Sequence, residues 1–248
     1  MGRHAWIDTW RGLAVVHMVV YHVLWDMVYL FGWDIPWFET DAAFYWEQWI
    51  AWSFIFISGF CAVGSRRLFR RGMEIFVMSL GITAATSLLG EDAVIWFGIL
   101  SLLGASMMLG AAGRRWLTAC PSGAGVLGMA CLFFSFYTLP RGFLQLGFVD
   151  VGLPESWYSG MVSTFLGLKD PDFYSADYFP LLPWLFLFLM GYMAGRWIRE
   201  RALSVPMFER EPVFSHIGRR ALSVYLLHQP VAYGILLMLS GRIQFFDR

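Results

Sequence analysis

Three ionisable side chains, His17, His22 and Asp26, interrupt the first apolar run of the chain, with Arg11 at its mouth and Asp8 just before it. At 100° per residue, Arg11 and His22 project about 20° apart and Asp26 lies about 40° beyond His22. Asp8 falls at nearly the same angle as Asp26, so Asp8, Arg11, His22 and Asp26 share one narrow stripe. His17 points about 140° away from His22. Ionisable groups at membrane depth are costly and turn towards a bundle interior or a wet cavity rather than lipid. From Arg11 to His22 the helix rises roughly 16 Å, about half the thickness of the hydrocarbon. An imidazole at that depth suits general-base work near neutral pH, and a carboxylate four residues on is placed to orient it or stabilise its charged form. His22 and Asp26 are therefore the catalytic candidates. The competing reading is a histidine that only hydrogen-bonds a neighbouring helix, and for His17 that reading is the better one.

Two further groups have the right chemistry. Late in the chain, Arg219-Arg220 open an apolar run in which His228 follows eight residues on, roughly 12 Å deeper and close to the depth of His22. Gln229 comes next, Pro230 is expected to kink the helix and free a carbonyl, and Tyr225 and Ser223 add hydroxyls. His228, Gln229 and Tyr225 are candidates for a supporting or gating role around a substrate, with helix-packing hydrogen bonds as the alternative. Arg66-Arg67-Leu68-Phe69-Arg70-Arg71 gathers four guanidiniums around one turn, a phosphate clamp. The alternative for that patch is a cytoplasmic membrane face meeting anionic headgroups.

The elements that must position these groups are membrane helices. Hydrophobic residues make up 58% of the 248, and charged residues only 15%, well below the quarter usual in soluble domains. Seven stretches approach the roughly 20 apolar residues needed to cross a bilayer: Gly12–Phe31, Phe44–Gly64, Gly72–Leu89, Ala93–Ala112, Gly123–Leu139, Phe179–Arg196 and Ala221–Ser240. The spacing predicts an all-α polytopic bundle of about seven spans, read as a single membrane domain over 1–248. The first run is too long and too charged for a cleavable signal and is expected to stay in the mature protein.

Charge sets the direction. Under seven spans one set of loops holds Arg3, Arg11, Arg66, Arg67, Arg70, Arg71, Arg114, Arg115, Arg196, Arg199, Arg201, Arg210, Arg219 and Arg220, fourteen of the 18 basic residues. The other set holds Arg141, Lys169, Arg242 and Arg248 with the acidic residues Asp34, Glu39, Asp41, Glu91, Asp92, Asp150, Glu155, Asp170, Asp172 and Asp177. Basic residues prefer the cytoplasmic side, which predicts a cytoplasmic N-terminus and an extracytoplasmic C-terminus. The long connection over 139–178 then lies outside, and its aromatics and lack of charge runs read as a lid over a cavity. Cys61, Cys120 and Cys131 form no paired pattern and read as small apolar packing residues.

Against this frame the motifs become recognisable. Ile7-Asp8-Thr9-Trp10-Arg11-Gly12-Leu13-Ala14 followed by His22 resembles the opening of the acyltransferase-3 membrane family. Ser58-Gly59-Phe60, Arg67-x-x-Arg70 and the stretch GRRALSVYLLHQPV over Gly218–Val231 resemble its later helices. His22-x-x-x-Asp26, Phe97-Gly98-Ile99-Leu100 and Asp177-Tyr178-Phe179-Pro180-Leu181-Leu182-Pro183-Trp184 are more similar to the bacterial branch related to heparan-α-glucosaminide N-acetyltransferase. Heparan-type enzymes carry asparagine where this chain has His22, a histidine outside the first span where it has Phe31-Gly32-Trp33-Asp34, and often a histidine where it has Ser101.

The resemblance implies a multi-pass enzyme of the bacterial inner membrane. It would take acetyl from cytoplasmic acetyl-CoA, without a metal, and deliver it to a sugar or glycan on the far side. His22 would deprotonate the acceptor with help from Asp26, while Arg11, Arg66, Arg67, Arg70 and Arg71 would hold the CoA phosphates. His228, Gln229, Tyr225, Asp177 and Ser101 would line or support the substrate. The expected partners are the bilayer, acetyl-CoA and the acceptor; a homodimer is allowed and nucleic acid is not expected. Two other classes remain open: a b-type haem protein ligated by His17, His22 or His228, and a transporter or flippase whose polar stripe relays protons. A retinal-type receptor is excluded, since the single lysine, Lys169, lies outside the spans.

Overall fold

The computed structural model describes residues 5–88, 90, 93–201 and 212–246. Arg3, Leu89, Glu91, Asp92, Arg210 and Arg248, used in the span and charge readings, lie outside the described residues. The chain is mostly helical: α1 (Ala5–Trp25), α2 (Asp41–Ala62), α3 (Leu68–Thr86), α4 (Ile99–Ala112), α5 (Arg114–Ala119), α6 (Ser122–Phe136), α7 (Met161–Leu166), α8 (Trp184–Glu200), α9 (Pro212–Arg219) and α10 (Ala221–Phe246). A two-stranded antiparallel hairpin, β1 (Phe143–Leu146) and β2 (Val149–Gly152), pairs Phe143 with Gly152 and Leu146 with Val149. Each of the seven apolar stretches carries a helix over all or part of its length. Among the described residues, three helices are long and apolar enough to cross a bilayer by themselves, over Trp6–Leu30, Ser122–Arg141 and Ala221–Gly241.

The chain divides into two compact units. One comprises Met1–Phe54 with Ser204–Arg248 and the other Ile55–Leu203. In the first, α1 is buried through Ala14, Val15 and Met18. Its crossing with α9 is set by glycine: a Cβ at Gly12 would overlap the Phe214 carbonyl, and one at Gly218 would overlap the Asp8 carbonyl. Only hydrogen at those positions lets the two backbones come this close. Past Trp25, α1 widens into a π-helical turn over Asp26–Leu30, with the Phe31 N–H bonded to the Asp26 carbonyl. Helix α10 runs on through Pro230, whose ring leaves the Leu226 carbonyl without its intrahelical donor.

The second unit repeats the glycine device. A Cβ at Gly59 would overlap the Phe188 carbonyl, and one at Gly191 the Phe56 carbonyl, so α8 and the end of α2 pack backbone to backbone. Helices α3 and α4 meet at Gly72 and Gly104, where a Cβ on Gly72 would stand 2.7 Å from the Gly104 carbonyl oxygen. Phe133 of α6, Phe188 and Met193 of α8 and Leu102 of α4 are fully buried in the core of this unit. At the far end of α8, Arg196 donates to the Leu117 carbonyl and, at 3.1 Å, to that of Cys120, closing off α5. The Ser122 hydroxyl and Arg196 both donate to Glu200 and hold its carboxyl below the usual range.

Helix α4 starts six residues later than its apolar stretch. The segment ahead of it is extended and pairs with the loop, the Ala176 N–H bonding the Val94 carbonyl and the Phe179 N–H the Phe97 carbonyl. Phe97 is left-handed, with φ of 54°, a strained state for an aromatic residue. The long connection is tied down along its length. Tyr158 donates to the Leu139 carbonyl and Tyr178 to the Thr164 carbonyl, each at 2.6 Å. Burial pushes both phenols above their ordinary value, so they remain O–H donors. Between α3 and α7 lies an apolar pocket of about 230 Å³ lined by Phe76, Phe97, Met161, Val162 and Phe165.

Asp170 closes the α7 turn: its carboxylate accepts from the Gly160 N–H at 2.7 Å and the Asp172 N–H at 3.1 Å. Those two donors hold its carboxyl below the usual range. A carboxylate with a lowered folded pKa stabilises fully above the ordinary value near about 4, and loses that contribution as pH falls through the folded value. Proteolytic cleavage between Gly160 and Asp172 is therefore expected to accelerate on acidification below about pH 4. Asp170→Asn should give the faster cleavage at neutral pH and remove the acid dependence.

Candidate active site

The α1 stripe is buried as its angles require. Asp8 is 5% exposed and Asp26 fully enclosed, while Arg11 and His22 are half-buried. At the shallow end Arg11 donates to the Asp8 carboxylate at 3.0 Å and to the Gly218 carbonyl at 3.3 Å. The guanidinium thus fastens α1 to the end of α9, next to the glycine crossing.

Deeper, α1 and α10 bring four of the singled-out side chains together. His22 and His228 meet edge to face, with ring centroids 4.9 Å apart. The two depth estimates, roughly 16 Å and 12 Å below their arginines, therefore describe one level. Gln229 donates through Nε2 to Asp26 Oδ1 at 2.8 Å. Asp26 does not orient His22 by a hydrogen bond. The imidazole is fixed instead by the Met18 carbonyl, 2.9 Å from Nδ1, and His228 Nδ1 sits 2.5 Å from the Tyr225 carbonyl. Tyr225 thus contributes its backbone to His228.

Those partners assign the tautomers. A carbonyl only accepts, so each Nδ1 carries the proton and each Nε2 keeps its lone pair. Both imidazoles are therefore held as bases. Three buried polar atoms in this cluster have no hydrogen-bond partner among the described residues: His228 Nε2, Asp26 Oδ2 and Gln229 Oε1. Burying such atoms unpaired costs free energy that a packing site would avoid.

His17 lies elsewhere on α1 and has a structural occupation. The Trp46 indole donates to its Nδ1 at 2.9 Å and Trp49 packs against it with ring centroids 5.0 Å apart. Nor does the His22–His228 pair suit an iron between its rings. With iron–nitrogen bonds of about 2 Å on each side, two imidazoles trans across one iron put their ring centroids roughly 6 Å apart, against 4.9 Å here.

In the second unit, Arg66, Arg67, Arg70 and Arg71 are all exposed around the start of α3. Arg70 pairs with Glu74 at 2.9 Å, an exposed pair of little energetic weight. Two arginines that the sequence offered only as topology markers join the patch. Arg114 reaches the Ser65 carbonyl at 3.5 Å, and the Arg199 guanidinium lies against Gly64. Their distance in sequence hid them. Asp177 and Ser101 meet at the start of α4: Asp177 Oδ2 accepts the Ile99 N–H at 3.3 Å, and the Ser101 hydroxyl donates to the Gly98 carbonyl at 2.6 Å. The FGIL and DYFPLLPW stretches are thus two sides of one cap on α4.

The Asp26–Gln229 bond is expected to hold α1 to α10 as well as shape the site. Gln229→Leu should lower stability by roughly 1–3 kcal/mol, because it strands a buried carboxylate oxygen. Adding Asp26→Leu should recover part of that loss in a double-mutant cycle read by thermal or denaturant unfolding.

Comparison with curated proteins and with solved structures returned no match. The family described as Heparan-alpha-glucosaminide N-acetyltransferase, catalytic, matches residues 3–230, spanning both the His22–Asp26 stripe and His228–Gln229, and the protein belongs to this acetyltransferase family.

Proposed function

We propose that the protein moves an acetyl group from cytoplasmic acetyl-CoA to a sugar or glycan acceptor on the other side of a bacterial inner membrane. In this reading α1, α2, α3, α4, α6, α8 and α10 all cross the bilayer, with the N-terminus cytoplasmic and the C-terminus outside. The four short of full span length by composition or extent are completed by flanking turns and aromatic girdles. Exposed Arg66, Arg67 and Arg71, together with Arg114 and Arg199, offer guanidinium forks for the CoA phosphates. Arg11 serves at the cytoplasmic mouth of α1. His22 acts as general base on the acceptor hydroxyl or amine, and Asp26 supplies negative charge one turn away.

The observation that carries the reading is the His22 imidazole. Its Nδ1–H is locked to the Met18 carbonyl and its Nε2 lone pair is left for proton abstraction. Purified protein in proteoliposomes, given labelled acetyl-CoA and a panel of neutral and amino sugars, is expected to transfer label and to retain CoA detectable by mass spectrometry. Absence of both transfer and bound CoA would rule the reading out.

A further inference from the structure

We propose that His22 and His228 form a two-imidazole proton relay, in which His22 takes the acceptor's proton and His228 returns it to the departing CoA thiolate. The inference rests on the acyl-transfer reading and adds a second acid–base residue to it.

Both rings are held the same way, by a carbonyl of their own helix on Nδ1, so each can exchange a proton only through Nε2. The rings touch, at 4.9 Å between centroids, across two different helices. His228 Nε2 is buried and has no partner among the described residues. A packing histidine would have one; a relay acquires it when the neighbouring ring is protonated, because His22 Nε2–H then becomes a donor and His228 Nε2 its acceptor. Asp26, fully enclosed and one turn from His22, stabilises positive charge on that ring.

The step balances without a co-reactant. The acceptor's X–H bond breaks and its proton goes to His22 Nε2. The X–acetyl bond forms as the acetyl–sulfur bond breaks, and the sulfur leaves as a thiolate. The proton crosses to His228 Nε2 and then to the thiolate, restoring both neutral rings. Because each ring receives and gives the proton at the same Nε2, each turns between two partners, and the pair divides between two rings the reorientation that a single ring would make alone.

The titratable and charged groups around the pair are Asp26 and Tyr21 on α1, Glu47 on α2 through its bond with Tyr21, and Tyr225 on α10. Further along α1, Asp8 and Arg11 are paired with each other, and on α9 Arg219 lies 3.2 Å from His216.

The test uses His228→Asn, whose side-chain amide can still donate to the Tyr225 carbonyl but cannot carry a proton through the cycle. With labelled acetyl-CoA and either glucosamine or glucose, kcat is expected to fall by about 10²-fold or more while the KM for acetyl-CoA stays within a few-fold. Added imidazole should restore part of the rate to His228→Ala. The kcat–pH profile of the parent should show two ionisations, and that of His228→Asn one. An unchanged kcat and profile in His228→Asn would overturn the relay, and so would a single ionisation in the parent, whatever the variants' folding. A parent that transfers no acetyl to any acceptor defeats the acyl-transfer reading itself, whereas an active parent with an indifferent His228 defeats only the relay.

Discussion

Replacing His22 with alanine is expected to lower the rate of acetyl transfer by about 10²–10⁴-fold, the usual contribution of a positioned general base. The KM for acetyl-CoA should change little, since the CoA phosphates are assigned to guanidiniums and not to the imidazole. The loss should fall on kcat and kcat/KM together, the signature of an interaction made only in the transition state. His22→Asn is the sharper variant. Its amide can donate to the Met18 carbonyl as Nδ1–H does, so the local α1 geometry is kept while the base is removed. Unfolding measurements on the same samples should show near-parental stability. A His22→Asn protein that transfers acetyl at the parental rate would place the chemistry elsewhere.

Gly12→Ala and Gly218→Ala are each expected to destabilise the protein by roughly 3 kcal/mol or more, at or beyond the upper end of the usual cost of overpacking. A single methyl carbon at either position would overlap a backbone carbonyl of the opposing helix, that of Phe214 or of Asp8. Backbone, unlike a long side chain, cannot rotate away. The α1–α9 crossing would have to open, and the bond from Arg11 to the Gly218 carbonyl would be lost with it. Gly234→Ala is the control. It lies in α10 with nothing near the added carbon, and alanine there should be neutral or stabilising by about 0.5–1 kcal/mol. Thermal unfolding in detergent distinguishes the three; equal behaviour would mean that the crossing contributes little.

The shared face of Asp8, Arg11, His22 and Asp26 was legible because helical periodicity is a local property: eleven steps along one helix fix an angle and a depth whatever the surroundings. The same locality explains why helices lie on the seven apolar stretches, and why the extended run before α4 was missed. Val94 to Gly98 is apolar enough to continue a helix, and only pairing with Ala176 and Phe179, some eighty residues away, pulls it straight. Pro230 sits inside the 26-residue α10, which continues on both sides of it: a missing N–H removes one backbone bond, and the bonds before and after carry the helix on.

Which groups can sit at mid-depth, and on which face, was thus written in residue order and spacing. What each group touches was decided by the fold. Four-residue spacing suggested that Asp26 holds His22, yet the carboxylate pairs with Gln229 and a carbonyl orients the ring, because side-chain reach depends on neighbouring helices and not on the wheel. The meeting of His22 with His228 depends on two helices some two hundred residues apart in sequence packing side by side, and no local periodicity encodes that pairing.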